Sequence, residues 1–532
     1  MKRTIDCLLI GHNEMRFADY EQNIRKMGLY SGAYRDLNLN FIWHRDKPLP
    51  AAEAFNLFGN SRDSEPLNIL KTLSPTIAYL GTFLGRRGFS FDYVNAFQEE
   101  KERLAALLKE ADVLAAAITT TLYTSVFPIL EIVDFVRCSN PGVKIILGGP
   151  FVATQVRSQE PGAVDFLFHT IGADFYVNSS QGEAALVNII RSLKEGAPPR
   201  QIPNLYYKWN GGYQATAAVR EDNKLSENMV NWGLFAARLG DHAAIRTSIS
   251  CPFACSFCNF PEYAGPYQPV AIPAIEQELD ELRQIETVTS LHFIDDTFNV
   301  PVKRFKEILR LMIRNRYTFR WHSYLRCQFA DEEMVELMKA AACEGVYLGL
   351  ESGSDQILKN MNKAVRVEEY LRGIGLLKKY GLLCHGNFIV GFPGETPETV
   401  QQTVKLIEES GLDFFRVQLW YCLHVTEIWR QRQEFRIRGE SFEWSHATMD
   451  SKTAADFIDR IFLSIDGPTW LPQYNFDVVN LWHMIFRGLP LPQIKRFIRA
   501  FNSGIKERLQ NPGQKNIGDA LARELAGSLA EK

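Results

Sequence analysis

The chain has 532 residues, of which 46% are hydrophobic and 23% charged, and its formal net charge is −3. This composition is that of a globular protein of about three domains, and the small negative charge argues against a dominant nucleic-acid-binding surface. No apolar run approaches the roughly 18 residues of a membrane span, and the run Cys7–Ile10 is too short for a signal peptide. Nine cysteines, three of them in one loop, favour a reducing, cytoplasmic compartment.

The first predicted domain covers residues 1–195. A buried strand at 5–11 is followed by an irregular stretch, 12–72, which we interpret as an insertion that covers something. Alternation then becomes regular, with strands predicted at 89–94, 112–119, 143–147 and 164–171 and helices at 75–87, 99–111, 125–138 and 183–194. Such alternation is typical of a parallel sheet with helices on both faces. Ligands bind such sheets beyond the carboxyl ends of the strands.

Three of these ends carry glycines or small hydroxyl residues, which let a ligand approach the backbone closely. The candidate residues are Thr119, Thr120, Thr121, Leu122, Ser125, Gly148, Gly149, Pro150, Gln181, Gly182 and Glu183. A generic nucleotide-binding domain is the alternative, although the chain has no G-x-G-x-x-G motif at these turns.

A linker is predicted at 196–240, and a second alternating domain at 241–422. Its strands are predicted at 244–250, 290–296, 319–326, 345–351, 382–392 and 412–419. Six strand–helix repeats predict a parallel barrel or partial barrel, with its chemistry at the carboxyl ends of the strands. Residues 423–532 are predicted to be a mainly helical C-terminal region.

The loop after the first of these strands carries Cys251, Cys255 and Cys258, at the spacing C-x3-C-x2-C. Three thiolates on one short loop suit a [4Fe–4S] cluster, and they leave one iron open to a small molecule. A structural zinc site is the alternative, but such sites close with a fourth ligand. No Cys or His follows within the next dozen residues.

Polar residues mark the ends of the later strands. Glu351 is the most informative of them, because a carboxylate that ends an apolar strand is costly unless it is paired or reaches a ligand. Asp295 lies near the end of the second strand, and Ser323 and Arg326 lie on the third. After the last strand, Tyr421, Cys422 and His424, together with Trp444, are candidate substrate contacts; the alternative is that they are ordinary loop and core residues.

The cysteine loop, with Phe257 before its last cysteine, resembles the signature of radical S-adenosylmethionine (SAM) enzymes. The segment 349–352 is similar to that family's Gly-Ile-Glu-Ser element, and the segment around Gly391 to its Gly-x-Ile-x-Gly element. The resemblance implies a six-stranded partial barrel, with SAM bound to the open iron through its amino and carboxylate groups. The SAM contacts that it implies are Phe257, Asp295, Ser323, Arg326, Glu351, Asn387, Phe388 and Ile389.

The first domain resembles cobalamin-binding domains. Thr120-Thr121-Leu122 is similar to their [S/T]-x-L element and Gly148-Gly149 to their Gly-Gly element, and in that family these turns hold the nucleotide tail of the cofactor. Domains that coordinate cobalt carry Asp-x-His-x-x-Gly after the first strand, whereas this chain has Gly11-His12-Asn13-Glu14, and His169 has Leu167 in the place of the Asp. The expectation is therefore cobalamin with its base displaced and no His on cobalt.

Taken together, the chain resembles the cobalamin-dependent radical SAM enzymes, with an N-terminal Rossmann-like cobalamin domain, a partial (β/α) barrel and a helical tail. The segments 10–14 and 444–450 are similar to the phosphinate P-methyltransferase group of that family. The resemblance implies that a 5′-deoxyadenosyl radical takes a hydrogen atom from an unactivated carbon (or phosphorus) centre, which then receives a methyl group from methylcobalamin. The carboxyl ends of both sheets would face each other for this reaction.

The resemblance leaves several functions open. A non-methylating enzyme of the same family, catalysing ring contraction, cyclisation or rearrangement, is one alternative, and a cobalamin-binding sensor is another. A tRNA methylthiotransferase is disfavoured, because its N-terminal domain needs three further cysteines and only Cys7 and Cys138 are there. The expected partners are a small-molecule or peptide natural product and an electron donor such as flavodoxin or ferredoxin, with no nucleic acid and no membrane.

Overall fold

The computed structural model describes residues 2–59, 72–121, 123, 125–474 and 478–529. The chain forms two compact units: the first contains Met1–Met15, Leu70–Ser250 and Glu262–Val288, and the second contains Arg16–Ile69, Cys251–Pro261 and Thr289–Lys532. No helix in the described part of the chain is long and apolar enough to cross a membrane.

The strands, in chain order, are β1 Thr4–His12, β2 Phe41–His44, β3 Lys47–Pro50, β4 Phe91–Ala96, β5 Asp112–Thr119, β6 Lys144–Gly148, β7 Phe175–Val177, β8 Leu205–Trp209, β9 Gly212–Ala215, β10 His242–Ile245, β11 Ser248–Ile249, β12 Gln268–Pro269, β13 Ser290–Phe293, β14 Arg320–Leu325, β15 Cys343–Glu351, β16 Leu383–Val390, β17 Phe414–Leu419, β18 Arg438–Glu440, β19 Glu443–Ser445 and β20 Thr469–Trp470.

The helices, in chain order, are α1 Phe17–Arg25, α2 Gly32–Asn38, α3 Ala51–Phe58, α4 Pro75–Arg86, α5 Lys101–Glu110, α6 Phe127–Ser139, α7 Pro150–Ser158, α8 Pro161–Ile171, α9 Glu183–Glu195, α10 Phe260–Ala264, α11 Ile272–Arg283, α12 Val302–Arg314, α13 Glu332–Ala340, α14 Asp355–Asn360, α15 Val367–Lys379, α16 Pro397–Glu409, α17 Glu427–Arg430, α18 Arg432–Phe435, α19 Ser451–Ser464, α20 Val478–Phe486, α21 Leu491–Gln510 and α22 Asp519–Ser528.

The first unit contains a seven-stranded sheet in the order β4-β1-β5-β6-β7-β8-β9. Strands β4 to β7 pair in parallel, as the alternation of strands and helices predicted. Strands β8 and β9 extend the edge antiparallel, so part of the predicted linker at 196–240 completes this sheet. Both faces of β1 and β5 are buried under helices, which explains their continuous apolar runs.

One predicted strand of this unit is wrong. Residues 164–171 form the end of helix α8, and the strand that pairs with β6 is Phe175–Val177. The short apolar run fits either element, but Val164, Phe168 and Ile171 are buried at helical spacing while Phe166 is 74% exposed. Pro161 at the first helical position favours a helix start there.

The second unit contains six parallel strands in the order β13-β14-β15-β16-β17-β20. One face packs against helices: Trp321 of β14 contacts Phe298 and Phe305, the latter on α12. We call the opposite face the inner face. It is defined by ring contacts between neighbouring strands, which join His292, Tyr324, Tyr347 and His385.

The insertion in the predicted first domain belongs to the second unit, so the predicted domain 1–195 is interrupted. Asp36 of α2 accepts a hydrogen bond from the buried Arg416 of β17 at 3.1 Å. Asn40 accepts one from the backbone of Gln473 at 2.9 Å, and Arg35 bonds to aspartates of α19. The insertion therefore covers β17 and α19, which agrees with the interpretation that it covers something.

Candidate active site: a three-thiol loop and a glycine-walled pocket

Three cysteines of the second unit, Cys251, Cys255 and Cys258, lie on one loop that ends in a tight turn, in which the Cys258 amide donates to the Cys255 carbonyl at 3.0 Å. Cys251 Sγ lies 3.5 Å from Thr297 Oγ1. Burial raises the pKa of the Cys258 thiol to about 11, and the other two thiols raise it further through their charge. A bound metal removes this cost because coordination deprotonates a thiol. The loop therefore fits a metal cluster held by three thiolates.

Cys255 has a cationic partner. Arg326, which is 7% exposed, donates from Nη2 to Cys255 Sγ at 3.0 Å and from Nη1 to the carbonyl of Lys363 at 2.9 Å, and its guanidinium lies over the Phe253 ring at 3.5 Å. Hydrogen bonds to the sulfurs are one of the main ways in which a protein sets a cluster's potential. The predicted SAM contact Arg326 is thus engaged with the cysteine loop itself.

Glu351 ends β15 in a left-handed conformation (φ +65°), beside an irregularity in the pairing with β16. Its Oε1 accepts from Lys363 Nζ at 2.8 Å, and both side chains are almost fully buried. The ion pair with Lys363 offsets the desolvation cost of placing the Glu351 carboxylate at the end of an apolar strand. The sequence did not point to Lys363, since it lies in a loop 12 residues away with no periodic relation to Glu351.

The remaining predicted SAM contacts divide between the two faces of the sheet. Asn387 and Ile389 lie on the inner face and are partly exposed, whereas Ser323 and the Phe388 side chain lie on the helix-covered face and are fully buried. A strand presents alternate residues to opposite faces. Tyr324, which is 42% exposed, therefore replaces Ser323 as the inner-face residue of β14. Asp295 is buried beyond the end of β13, and Phe257 packs edge-on against Phe392.

The inner face stays accessible toward the carboxyl ends of the strands. Asn387 accepts from Gln473 Nε2 at 3.2 Å, and Gln418 Nε2 donates to Gln473 Oε1 at 2.7 Å. Deeper along the strands, burial lowers the pKa of His292 and of His385 to about 3, so both are neutral scaffold residues. No sequence pattern points to Gln473, because it lies far from these strands in the chain.

The candidate substrate contacts mostly have packing roles. Trp444 is buried and donates to the carbonyl of Trp420 at 2.8 Å. Cys422 is buried and pairs with Ser441, and His424 stacks on Trp429 at 3.8 Å. Tyr421 is half-buried, with its ring 4.8 Å from Phe442. Each of these four side chains thus has a partner within the second unit, and their contact with substrate stays a prediction.

In the first unit, a pocket of about 70 Å³ opens at the carboxyl ends of β5 and β6. Its lining residues are Thr76, Leu80, Ala117, Ile118, Thr119, Ile146, Gly148, Gly149, Val177, Ser179, Gln181, Gly182 and Leu186. Five of the predicted cobalamin contacts are among them: Thr119, Gly148, Gly149, Gln181 and Gly182. Thr76, Val177 and Ser179 were missed, because their place depends on how α4 and the loop after β7 pack.

Two glycines shape this pocket. Gly149 has φ +117° and ψ −171°, a conformation that is essentially restricted to glycine. A Cβ there would lie 2.8 Å from Thr120 Oγ1. Gly149 and Gly182 are the N-cap residues of α7 and α9, and helix N-termini attract anions. The pocket therefore has glycine walls and two helix N-termini, features that are compatible with a phosphate-bearing ligand.

The other predicted contacts lie around this pocket. Thr120 donates to the carbonyl of Gly148 at 2.9 Å and so holds the turn, and Thr121 pairs with Thr76. Burial raises the pKa of Glu183 to about 7, with Arg246 opposing the shift. Pro150 is exposed and begins α7. Ser125 is half-buried and lies just before α6. Leu122 lies outside the described residues.

The ends of β1 also have structural partners. His12 stacks on Tyr123 with ring centroids 5.2 Å apart, and burial lowers its pKa to about 4. Asn13 bonds to Gln98 and Glu131. In the segment 444–450, Asp450 caps α19 through the amide of Thr453. The segments 10–14 and 444–450 therefore both contain residues with folding roles.

Comparison with known proteins agrees with both sites. Residues 245–407 match the Radical SAM superfamily, and residues 72–171 match the B12 binding domain. An uncharacterized methyltransferase of Pyrococcus horikoshii, PH0819, is 24% identical over 61% of this chain and 71% of its own length. The anaerobic magnesium-protoporphyrin IX monomethyl ester cyclase of Rubrivivax gelatinosus is 24% identical over 72% of this chain and 71% of its own length.

Solved structures share the fold. The radical SAM methyltransferase TsrM from Kitasatospora setae superposes with a TM-score of 0.56 at 20% identity, over 67% of this chain and 72% of its own. The cobalamin-dependent SAM radical enzyme OxsB gives a TM-score of 0.60 at 11% identity, over 99% of this chain and 83% of its own. The chain thus combines a radical SAM domain with a B12-binding domain, the two domains of cobalamin-dependent radical SAM enzymes. A structure of TsrM holds cobalamin and a [4Fe–4S] cluster, and one of OxsB holds aqua-cobalamin and SAM.

The loop after β16 contains a buried titratable group. Glu395 is fully buried after β16 and accepts from the Gly391 amide through Oε2. Burial raises its pKa from 4.5 to about 8. The stability that the protonated acid contributes is therefore fully present below about pH 4.5 and is lost as the pH rises through 8.

The free energy of unfolding of Glu395→Gln, relative to that of the parent protein, should therefore increase as the pH rises from 5 to 8. The increase should be at most ~1.4 kcal/mol per pH unit. The measurement is the difference in apparent melting temperature at each pH. Glu398→Gln changes an exposed carboxylate at the start of α16, three residues later, and serves as the control. A difference that is flat with pH would contradict the burial of a neutral acid.

Proposed function

We propose that the chain is a methyltransferase, which moves a methyl group from methylcobalamin to an unactivated carbon (or phosphorus) centre of a natural-product intermediate. The observation that carries the proposal is that one chain contains both a loop of three thiols and a glycine-walled pocket for a nucleotide tail. A relative that is named as a methyltransferase supports methyl transfer as the reaction. The substrate is proposed to be a small molecule or peptide rather than a nucleic acid, because the net charge is −3.

Bound to these residues, the cluster with SAM would supply a radical that takes a hydrogen atom, and cobalamin would carry the methyl group. Cys251, Cys255 and Cys258 would hold the cluster, and Arg326 would orient the Cys255 sulfur. Glu351, held by Lys363, would be positioned to receive the polar groups of SAM. The protein's own task is to position these groups and to exclude water.

For cobalamin, Gly149 and Gly182 would admit the nucleotide tail to the pocket. We also propose that the base is displaced and that no His lies on cobalt. Two observations support this: His12 at the end of β1 is stacked on Tyr123, and His169 lies on helix α8 with its ring bonded to backbone carbonyls.

The test does not need the natural substrate. The anaerobic protein, loaded with cluster and cobalamin, is incubated with a reductant and methyl-deuterated SAM, and both cofactors are analysed by mass spectrometry. Labelled methylcobalamin together with 5′-deoxyadenosine is the expected result. Formation of 5′-deoxyadenosine without labelled methylcobalamin would overturn the methyltransferase proposal and favour the non-methylating alternative, which the similarity to a cyclase also supports. Absence of both products would indicate a cobalamin-binding sensor.

A further inference from the structure

The side chain of Arg326 is held on three sides beside the cysteine loop. Its Nη2 donates to Cys255 Sγ at 3.0 Å, and its Nη1 donates to the carbonyl of Lys363 at 2.9 Å. The guanidinium also lies over the ring of Phe253, 3.5 Å from the centroid. The backbone is fixed by the fully buried Asn299, which accepts from the Arg326 amide at 3.0 Å and donates to its carbonyl at 2.9 Å. Arg326 therefore presents its charge to the loop in one fixed geometry.

Arg326 is a buried cation without a carboxylate partner among the described residues. It is 7% exposed, and its side-chain hydrogen bonds lead to a sulfur and to a backbone carbonyl. A buried charge is costly unless an opposite charge compensates it. Of these two acceptors, Cys255 Sγ can become negative, since coordination of a metal deprotonates a thiol. The guanidinium is therefore placed to be compensated by a metal-bound Cys255.

A second buried cation near the loop has its own counter-charge. Lys363 Nζ lies 5.7 Å from the centroid of the Phe257 ring and donates to Glu351 Oε1 at 2.8 Å. The Glu351 carboxylate offsets the Lys363 charge, so this pair is close to neutral for the cysteine loop. Arg326 has no such counter-charge in the described part of the chain, and its positive charge therefore acts on the loop.

The same contacts argue against a direct contact between Arg326 and the carboxylate of SAM. A guanidinium binds a carboxylate best through two parallel N–H donors. In Arg326 both Nη1 and Nη2 are engaged with protein atoms, and Phe253 covers one face of the guanidinium plane. Binding a carboxylate would break or share these bonds, and a buried donor that loses its acceptor is costly. The contacts therefore favour a role toward the cluster over the SAM contact that the sequence predicted.

We propose that Arg326 is a positioning residue for the iron–sulfur cluster, which fixes the Cys255 ligand and raises the reduction potential of the cluster. The inference rests on the proposed function only in that the three thiolates hold a cluster. Reduction transfers one electron from an external reductant to the cluster and adds one negative charge there, while no bond forms or breaks. A buried cation beside a ligand sulfur, together with its hydrogen bond, stabilises that added charge. Removal of the guanidinium therefore makes the cluster harder to reduce.

The test uses the full chain with its cluster reconstituted and without SAM. The reduction potential is measured by titration with titanium(III) citrate, and the reduced cluster is followed by electron paramagnetic resonance. Arg326→Gln keeps an N–H donor but removes the charge. We expect its equilibrium constant for one-electron reduction to fall about tenfold or more, which corresponds to about 59 mV. Arg326→Lys keeps the charge, and its constant should stay closer to that of the parent.

A second measurement needs no variant. In the parent protein labelled with ¹⁵N-arginine, pulsed electron paramagnetic resonance of the reduced cluster should show a coupling to ¹⁵N, because Arg326 Nη2 lies 3.0 Å from the Cys255 sulfur. Absence of this coupling would overturn the proposal, also in the case that Arg326→Gln takes up no cluster. Cluster content and melting temperature are determined for every sample.

The matched control is Arg372→Gln, which removes an exposed positive charge on α15 of the same unit. It should leave the potential unchanged, because water and salt screen an exposed charge. Equal potentials in Arg326→Gln and in this control, at full cluster content, would overturn the proposal. SAM affinity is measured in parallel, and weaker SAM binding with an unchanged potential would assign Arg326 to the SAM site instead. None of these readouts depends on methyl transfer, so the proposed function can fail independently.

Discussion

Replacing Cys255 with alanine is expected to abolish the iron–sulfur cluster and, with it, all cleavage of SAM. The substitution removes one of three thiolate ligands on a loop that has no other cysteine. It also removes the sulfur that accepts a hydrogen bond from Arg326 at 3.0 Å. The buried guanidinium then keeps its hydrogen bond to the Lys363 carbonyl but loses its acceptor at Cys255. A buried charged donor that loses its acceptor costs about 1–3 kcal/mol or more.

The measurements are bound iron after anaerobic reconstitution, visible absorbance and formation of 5′-deoxyadenosine, all of which should fall to background. Cys251→Ala and Cys258→Ala should give the same result. Cys138→Ala, which removes an exposed thiol on α6, controls for the number of cysteines and should keep the cluster. A cluster retained in Cys255→Ala, with cobalamin still bound, would exclude this loop as its site.

The glycine-walled pocket of the first unit shows what the sequence was able to predict. Thr119, Gly148, Gly149, Gln181 and Gly182 are separated by up to 63 positions, yet they line one pocket because parallel strands end at the same edge. Thr76 and Ser179 lie in the same pocket and were missed. Their position depends on the face against which α4 packs and on the turn after β7, and neither is encoded in a local pattern.

The barrel shows where residue patterns reach their limit. The sequence placed Ser323 and Arg326 on the third predicted strand, and the structure has Arg320–Leu325 as a strand, with Arg326 just beyond its end. The face was not predictable, because a shift of one residue exchanges the two faces, and the side chain on the inner face is Tyr324. Similarly, Glu351 was expected to have a partner, but its partner Lys363 comes from a loop and had no periodic signal.

The assignment of chain segments to the two units was also beyond prediction from the sequence. Residues 16–58 precede most of the first unit in the sequence and yet pack against β17 and α19 of the second. Their helices and hairpin are short, and their apolar residues bury against elements more than 370 positions later, as the stacking of Tyr20 on Tyr474 illustrates. Local propensity does not determine which unit a segment joins; long-range burial of apolar surface does.

Replacing Gly149 with alanine is expected to weaken cobalamin binding roughly 10- to 100-fold while leaving the cluster intact. Its φ of +117° and ψ of −171° are open essentially only to glycine, and a Cβ would lie 2.8 Å from Thr120 Oγ1 and 3.2 Å from the Thr120 nitrogen. Thr120 cannot easily give way, because its amide and hydroxyl both donate to the Gly148 carbonyl. Strain of about 1–3 kcal/mol at the wall of the pocket corresponds to a loss of roughly 10- to 100-fold in affinity.

The measurement is the dissociation constant for hydroxocobalamin, followed by the change in its absorbance, with cluster content determined on the same sample. Gly162→Ala is the matched control: it lies in α8 of the same unit, and a Cβ there meets nothing within 4 Å. Because the cysteine loop belongs to the other unit, an intact cluster in Gly149→Ala shows that the loss is confined to the first unit. Unchanged cobalamin affinity in that variant would show that the cofactor's tail does not enter between Gly149 and Gly182, and would remove the structural basis for pairing the two sites in one reaction.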